Sequence, residues 1–234
     1  MTKVHRFSEW SDVTHGFLGR PMDYAADAPQ SEANRQAALR GHVHTANELV
    51  LVRQVHSARV EVANGRAVDE LAAVPADALI SNEPGRAVGV LTADCVPVLL
   101  FAEDTGWVGA VHAGRRGALA EIVPKTIAAL ETFGAARGAL RVGIGTYIHA
   151  ASYEVGEARK AQLPDEARER EPGQRFCCDL GALIHAQLKT LGIGNHQIQN
   201  LELDTLGSAD WHSYRRDRNS AGRNLSLIVA PGRS

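Results

Sequence analysis

The chain of 234 residues is 44% hydrophobic, and its 25 basic and 27 acidic side chains give a net charge of −2. This apolar content is enough for one substantial core, so a single domain spanning residues 1–234 is expected. The near-neutral charge argues against nucleic-acid binding, which usually needs a basic protein, and no apolar run approaches the roughly 20 residues that cross a bilayer.

The first elements predicted along the chain are a short helix and a strand that leads into a histidine. The segment SEANRQAALRG predicts a helix, with Ser31 as N-cap and Gly41 as stop. Residues 49–55 predict a strand that ends at His56. Residues 60–62 are expected to continue it.

Three apolar runs in close succession form the centre of the predicted sheet. They cover residues 87–92, 96–102 and 107–112, and they are rich in Val and Leu with little alternation. Such runs are typical of strands covered on both faces. A shorter strand at 77–81 precedes them, and AEDTG joins the last two as a hairpin-type connection.

The second half of the chain alternates between helical and strand patterns. A helix is predicted over 117–133, in which Pro124 indicates a kink or a late start. A second helix is predicted at 179–191, with Asp179 as N-cap and Gly192 as stop. Strands are predicted at 140–144, 196–203 and 225–230, and a charged helix or loop at 157–173. Because several strands follow one another without intervening helices, a layered α+β arrangement is favoured over a doubly wound sheet.

The cysteines and the N-terminus indicate the compartment. The three cysteines are Cys95, Cys177 and Cys178, an odd number that includes two sequence neighbours. This does not suggest a disulfide framework. The segment MTKVHRFSEWSDVTHGF lacks the apolar stretch of a secretory signal, so a cytoplasmic location is expected.

Three residues on separate segments carry the strongest chemical signal. His56, Cys95 and His112 each lie at or near the end of a strand-like run. Two imidazoles and one thiolate suit a zinc ion, and three protein ligands leave one coordination position open for chemistry. The same residues are also compatible with a metal-free Cys–His nucleophile pair. Taken singly, each histidine is more typical of a surface or hydrogen-bonded residue.

Asp94 bears on the choice between these two interpretations because it directly precedes Cys95. A neighbouring carboxylate raises the pKa of a thiol unless a cation offsets it. A metal ion supplies that cation, since a coordinating thiol is deprotonated. The pair therefore favours metal ligation.

Arginines near the C-terminus form a second candidate cluster. The segment SYRRDRNSAGRNLSL contains Arg215, Arg216 and Arg223, and Arg20 and Arg115 are candidates to join them. Guanidinium groups bind phosphate or carboxylate with paired donors. A charged surface turn is the alternative.

His42 and His44 form the one H-x-H pair of the chain. A metal role for the pair is conceivable, but a solvated loop is the favoured interpretation.

The segments HGFLGR, QVHS, ADALISNEPGRAVGVLTADCVPVLLF, GAVHAGRRGAL and SYRRD, in this order, resemble the multicopper polyphenol oxidase (laccase-domain) family over nearly the whole chain. The resemblance implies stacked mixed sheets flanked by helices, and a single zinc held by His56, Cys95 and His112. It implies deamination of adenosine and phosphorolysis of adenosine, inosine, guanosine and methylthioadenosine. For bacterial relatives it also implies editing of peptidoglycan precursors.

The chain departs from the family pattern at several positions. Arg115 stands where the family usually has Trp, Thr146 replaces a Pro, and Asp204–Thr205 replaces a Cys–Thr pair. These differences leave the substrate preference open.

The family label also implies copper chemistry, which the histidine content argues against. Oxidation by several coppers needs several H-x-H pairs, whereas this chain has ten histidines and one such pair. A single Cu²⁺ in the His/Cys site stays possible, because such sites bind copper strongly.

The sequence therefore predicts a zinc-dependent enzyme whose partners are a purine nucleoside and phosphate. Catalysis is expected from His56, Cys95 and His112, with Asp94 as proton shuttle. The phosphate is expected on the arginine cluster. The alternatives are a cysteine hydrolase with Cys95 as nucleophile and His112 as base that edits peptidoglycan precursors, a copper-binding polyphenol oxidase, and a non-enzymatic zinc protein.

Overall fold

The computed structural model describes residues 2–28, 30–43, 45–170 and 176–231. The strands are Val4–His5 (β1), His15–Leu18 (β2), Glu48–Val50 (β3), Val60–Val62 (β4), Ala78–Ser81 (β5), Arg86–Thr92 (β6), Val96–Ala102 (β7), Val108–Ala113 (β8), Leu140–Ile144 (β9), Arg168–Arg170 (β10), Phe176–Cys178 (β11), Ile198–Asn200 (β12) and Asn224–Val229 (β13). The α-helices are Ser31–His42 (α1), Val68–Ala73 (α2), Arg115–Leu119 (α3), Ile122–Thr132 (α4), Glu157–Lys160 (α5), Leu180–Thr190 (α6) and Tyr214–Asp217 (α7).

Two mixed sheets form the centre of the molecule. One has five strands in the order β1-β2-β13-β6-β3, and the other has six in the order β12-β9-β7-β8-β5-β4. The pairs β3–β6, β4–β5 and β9–β12 are parallel, and the remaining pairs in these sheets are antiparallel. Strands β10 and β11 form a separate two-stranded antiparallel sheet.

The two sheets stack face to face, and helices cover their outer faces. Val88 and Val90 of β6 share a buried cluster with Leu99 of β7. Every residue of β7 is buried, because α4 and α6 pack on the opposite face of the same sheet, while α1 covers the five-stranded sheet. This explains the unbroken apolar runs, and the predicted layered α/β fold with helix-flanked sheets is confirmed.

The first helix and the strand after it differ from the prediction. Ser31 is the first helical residue rather than the N-cap, and α1 continues through Gly41 to His42. The predicted strand at 49–55 is paired only through β3, after which a single bridge joins Arg53 to Pro75. The segment that leads to His56 is therefore a loop.

The long predicted helix at 117–133 is divided into α3 and α4. Glu121 lies between them in the left-handed region, with φ of 61°. Pro124 is the third residue of α4, where the missing N–H costs no hydrogen bond, so the late start is the correct alternative.

The predicted caps of α6 are confirmed. Asp179 accepts a hydrogen bond of 2.7 Å from the backbone of Ala182, and Gly192 follows with φ of 80°. The predicted strand at 196–203 shrinks to β12, and the charged stretch at 157–173 contains α5 and β10, although its last residues lie outside those described. None of the helices in the described residues combines the length and apolarity needed to cross a membrane.

Candidate metal centre

His56, Cys95 and His112 meet where β7 begins and β8 ends, at one end of the central strands of the six-stranded sheet. Their potential ligand atoms all lie within 4.8 Å of one another, and this is the one such group of three or more within the described parts of the chain. The Cys95 Sγ atom lies 3.8 Å from Nε2 of His56. His112 is buried, Cys95 is partly buried and His56 is exposed, so the centre opens to solvent on one side.

Strand register places two of the three residues side by side. Pro97 pairs with His112 where β7 runs antiparallel to β8. Cys95, just before β7, therefore lies at the same end of this strand pair as His112. His56 and Asp94 adopt left-handed backbone conformations, with φ of 60° and 86°. Such conformations cost about 1–3 kcal/mol and persist where surrounding contacts hold them.

Asp77 is the residue that holds two of the candidate ligands, and the sequence analysis missed it. Its buried Oδ1 accepts hydrogen bonds from Nδ1 of His112 at 2.7 Å and from the backbone of His56 at 2.9 Å. Oδ2 accepts from the backbone and hydroxyl of Ser57 at 2.6 and 2.7 Å. Because a carboxylate accepts from Nδ1–H, Nε2 of His112 is left free for a metal.

The ionisation of Asp77 suits this role. Burial raises the pKa of its carboxyl, but the hydrogen bonds from His112 and Ser57 outweigh burial and lower the pKa below the ordinary value. The sequence offered only a weak signal for this residue, an acidic side chain directly before the apolar strand β5.

Gly114 leaves the space in which the three side chains meet. A Cβ atom at this position would lie 2.6 Å from Cδ2 of His56 and 3.0 Å from Sγ of Cys95. No side chain at 114 can avoid those atoms without moving a candidate ligand. The centre thus requires glycine here for steric reasons.

Cys95 and His112 shift each other's ionisation strongly. Burial alone would raise the pKa of the Cys95 thiol, but the charge of His112 and hydrogen bonds from both histidines lower it to about 6. Burial would lower the pKa of His112, yet Cys95 and Asp77 raise it to about 9. A thiolate beside an imidazolium is therefore the form expected at neutral pH when no metal is bound.

Asp94 does not act on the thiol in the way the sequence suggested. Its Oδ1 accepts from the Thr205 hydroxyl at 2.7 Å, and its Oδ2 accepts from the backbone of Arg215 at 2.6 Å. The groups that set the pKa of Cys95 are the two histidines instead. Asp94 joins the turn before β7 to the C-terminal segment, and its role as proton shuttle stays a prediction.

A cavity of about 900 Å³ opens above the three residues. Two tyrosines and seven arginines line it together with the candidate ligands: Tyr153, Tyr214, Arg53, Arg115, Arg116, Arg159, Arg215, Arg218 and Arg223. The predicted substrate residues Arg115, Arg215 and Arg223 are thus brought together. Arg53, Arg159 and Arg218 were missed, because their distance in sequence gave no sign of a shared wall.

Arg20 and Arg216, also predicted to bind substrate, lie outside the lining of this cavity. Arg20 pairs with Asp217 at 2.7 Å. Arg216 donates to the carbonyl of Trp211 at 2.7 Å and pairs with Asp217 at 2.8 Å. Both guanidinium groups thus stabilise the C-terminal segment, and neither lines the cavity of the candidate metal centre.

Of the H-x-H pair, His44 lies outside the described residues. His42 ends α1, where its carbonyl accepts from Arg6 at 2.6 Å.

Comparisons with known proteins agree with the sequence resemblance. A family model described as multi-copper polyphenol oxidoreductase laccase matches residues 21–231. A purine nucleoside phosphorylase of Corynebacterium glutamicum is 35% identical over 214 residues, which cover 89% of this chain and 85% of that one. A purine nucleoside phosphorylase of Streptomyces coelicolor is 37% identical over 200 residues, covering 84% and 81%.

Solved structures share the fold. The hypothetical protein YfiH of Bacillus licheniformis superposes with a TM-score of 0.87 at 24% identity, covering 97% of this chain and 96% of that one. A protein from Neisseria meningitidis gives a TM-score of 0.83 at 27% identity, covering 99% of both chains. The stacked-sheet architecture is therefore common to these proteins.

Proposed function

This chain belongs to the family described as multi-copper polyphenol oxidoreductase laccase, and from that premise we propose that it is a purine nucleoside phosphorylase with one metal ion at His56, Cys95 and His112. One observation carries the proposal: the three candidate ligands lie in a large cavity whose walls are rich in arginine. Relatives named purine nucleoside phosphorylase support the substrate class.

The residues present fit a zinc ion. The donor set of two imidazole nitrogens and one thiolate is one that zinc prefers, and three protein ligands leave a position for substrate. The hydrogen bond from Nδ1 of His112 to Asp77 leaves Nε2 available to a metal ion. Gly114 has no side chain that would collide with His56 and Cys95. When bound, zinc would act as a Lewis acid on an oxygen or nitrogen of the substrate.

Four of the cavity arginines are held ready for phosphate by neutral acceptors. Arg115 donates to the side chain of Gln162 at 2.9 Å, and the other three donate to backbone carbonyls at 2.8–3.0 Å: Arg116, Arg215 and Arg223. Neutral acceptors orient a guanidinium without cancelling its charge, so each group can still pair with an anion.

The tyrosines of the cavity supply surfaces for a purine. Tyr214 is 47% exposed, which is unusual for a large ring and leaves its face free for stacking. Tyr153 lies under the guanidinium of Arg215, 5.2 Å from its ring centre. A base and a phosphate bound at these two groups of residues would share the same cavity.

In the proposed reaction a phosphate oxygen replaces the base at C1′ of the ribose. The bond from C1′ to the purine nitrogen breaks, its electron pair leaves with the purine, and a proton delivered with the phosphate neutralises the leaving base. The arginines would hold the phosphate near C1′, which turns a bimolecular encounter into a positioned attack.

Adenosine, inosine, guanosine and methylthioadenosine are the proposed substrates, and deamination of adenosine is a second proposed activity. Deamination needs a group that carries a proton from water to the leaving ammonia. Asp94 is the acidic candidate that lines the cavity near Cys95. Its two engaged oxygens favour a positioning role instead.

The test is an assay of each nucleoside with inorganic phosphate, followed by chromatography of the free base and ribose 1-phosphate. The zinc-loaded protein is compared with His56→Ala and with His196→Ala, an exposed histidine that does not line the cavity. Loss of activity in the first variant alone supports the proposal. Full activity in His56→Ala would overturn it.

The metal-free cysteine hydrolase is the second candidate, since the paired pKa shifts of Cys95 and His112 are those of a Cys–His dyad. It requires that thoroughly demetallated protein keep its activity, whereas the phosphorylase proposal requires that activity follow metal content. A peptidoglycan precursor would be a substrate for this candidate.

A polyphenol oxidase with several coppers has less support. The described residues hold one three-ligand group, whereas such an oxidase needs several copper sites.

A further inference from the structure

The charge of the cavity exceeds what one phosphate ion needs. Seven arginines line it, against two carboxylates, Asp27 and Asp94, so five positive charges remain. Inorganic phosphate carries about two negative charges near neutral pH. A neutral nucleoside adds none, so phosphate and nucleoside together would leave the cavity strongly positive.

Among the described residues, most arginines outside this cavity are paired with carboxylates. Outside it, eight arginines form ion pairs with Asp or Glu: Arg20, Arg59, Arg66, Arg86, Arg137, Arg141, Arg168 and Arg216. In the part of the chain that the structure describes, none of the seven cavity arginines has such a carboxylate partner. Guanidinium groups gathered without carboxylates are the arrangement that binds anions.

The seven arginines fall into two sets by how they are held. Arg115, Arg116, Arg215 and Arg223 are fixed by amide or carbonyl acceptors. The remaining three are exposed, and their guanidinium groups donate to no acceptor among the described residues: Arg53, Arg159 and Arg218. Arg53, Arg159 and Arg218 are the rim arginines.

The rim arginines come from three distant parts of the chain. Arg53 precedes His56 on the loop after β3, Arg159 is on α5, and Arg218 follows α7. The fold thus brings three exposed cations to the lining of one cavity. In the proposed function the fixed set holds inorganic phosphate, which leaves the rim set available for a different anionic group.

We propose that the rim arginines bind a phosphate group carried by the substrate itself, so that the cavity accepts a purine nucleotide in preference to the free nucleoside. This inference rests on the proposed function for the nature of the base. A phosphate ester on the ribose would extend from the sugar toward the opening while the fixed arginines keep inorganic phosphate. Paired guanidinium donors suit its oxygens.

The experiment measures the dissociation constants of adenosine, adenosine 5′-monophosphate and adenosine 5′-diphosphate by calorimetry, with zinc-loaded protein at low and at high salt. The monophosphate is expected to bind about tenfold or more tightly than adenosine at low salt. The preference should shrink at high salt, where screening weakens exposed charge pairs. The diphosphate carries a further negative charge and is expected to bind at least as tightly as the monophosphate, and binding weaker than that of adenosine would contradict the inference.

Two variants connect the preference to the rim arginines. In the triple variant Arg53→Ala, Arg159→Ala, Arg218→Ala, the ratio of the dissociation constants of adenosine and its monophosphate is expected to fall close to one. Arg40→Ala is the matched control, since Arg40 is exposed on α1 and does not line the cavity, and it should leave the ratio unchanged. Equal or weaker binding of the monophosphate in the unaltered protein would overturn the inference, as would a triple variant that keeps the preference.

Parallel turnover assays separate this inference from the proposed function. Phosphorolysis of adenosine without a preference for the monophosphate removes the nucleotide inference and leaves the phosphorylase. Preferential binding of the monophosphate without phosphorolysis of either compound removes the phosphorylase and supports the anion site. If neither compound binds, both are wrong.

Discussion

The carboxylate of Asp77 accepts a hydrogen bond of 2.7 Å from Nδ1 of His112, and both side chains are buried. The same oxygen accepts from the backbone of His56. One acidic side chain therefore sets the orientation of two candidate metal ligands that are 56 residues apart in the sequence. A carboxylate behind a histidine ligand also raises the basicity of the nitrogen that faces the metal.

Replacing Asp77 by Asn is expected to weaken zinc binding by about 10–100-fold, the usual effect of removing such a partner. The amide keeps the size of the side chain but offers one acceptor oxygen instead of two. Affinity is measured by competition with a chromophoric chelator, and the thiolate-to-cobalt absorption band of the Co²⁺-loaded protein reports the geometry. Asp69→Asn, on the exposed face of α2, is the control. Unchanged affinity and an unchanged band would show that Asp77 supports only the fold.

Gly114→Ala should reduce metal affinity by at least about tenfold, because the new methyl group would stand 2.6 Å from the His56 ring and 3.0 Å from Sγ of Cys95. Gly138→Ala is the matched control, since a Cβ there meets nothing within 4 Å. Thermal unfolding of both variants without metal shows whether the fold is retained. A Gly114→Ala protein that binds zinc like the unaltered chain contradicts the steric account.

In metal-stripped protein, the rate at which iodoacetamide alkylates Cys95 should rise with pH through a midpoint near 6. The thiolate is the reactive form, and the neighbouring His112 lowers the thiol pKa to about 6 from an ordinary value of about 8.5. Mass spectrometry locates the modification. Cys178 is the internal control, because burial raises its pKa to about 12 and keeps it unreactive.

His112→Gln should move that midpoint upward, since it removes the positive charge beside the thiolate. Added zinc should protect Cys95 in the unaltered protein. A midpoint between 8 and 9, or alkylation that zinc does not slow, would contradict the proposed contact between the thiolate, the imidazole and the metal.

Arg115→Ala is expected to raise the KM for inorganic phosphate by about tenfold or more while the KM for the nucleoside changes little. A hydrogen bond to a charged partner contributes about 1.5–3 kcal/mol, which corresponds to that range. Arg40→Ala, remote from the cavity, controls for a general loss of positive charge. Equal effects on both KM values would show that Arg115 shapes the cavity without binding phosphate.

The layers of the fold could be predicted from the sequence, because a continuous apolar run indicates a buried strand. Strands β7 and β9 match the predicted bounds, since β7 is an unbroken apolar run and β9 is interrupted only by Arg141. The break at Glu121 was not predicted, because a left-handed turn at a non-glycine residue leaves no pattern in sequence. The apolar residues before His56 predict a strand, but after β3 only one bridge pairs this segment, and Val52 is buried in a loop.

The candidate centre was only partly predictable. His56, Cys95 and His112 stand out because few residue types bind metals, whereas the role of Asp77 depends on which side chains the register of β5 and β8 brings together. Arginines gave the least reliable signal. Arg216 and Arg223 lie in one segment, yet one braces backbone carbonyls and the other lines the cavity.

The proposed function requires that phosphorolysis depend on a metal at His56, Cys95 and His112. The most direct measurement strips the protein of metal, adds back zinc in steps, and follows release of free base and ribose 1-phosphate from inosine and inorganic phosphate. Activity should be absent without metal, rise in proportion to zinc up to one equivalent per chain, and not return in Cys95→Ala. Full phosphorolysis by metal-free protein, or by Cys95→Ala, would contradict it.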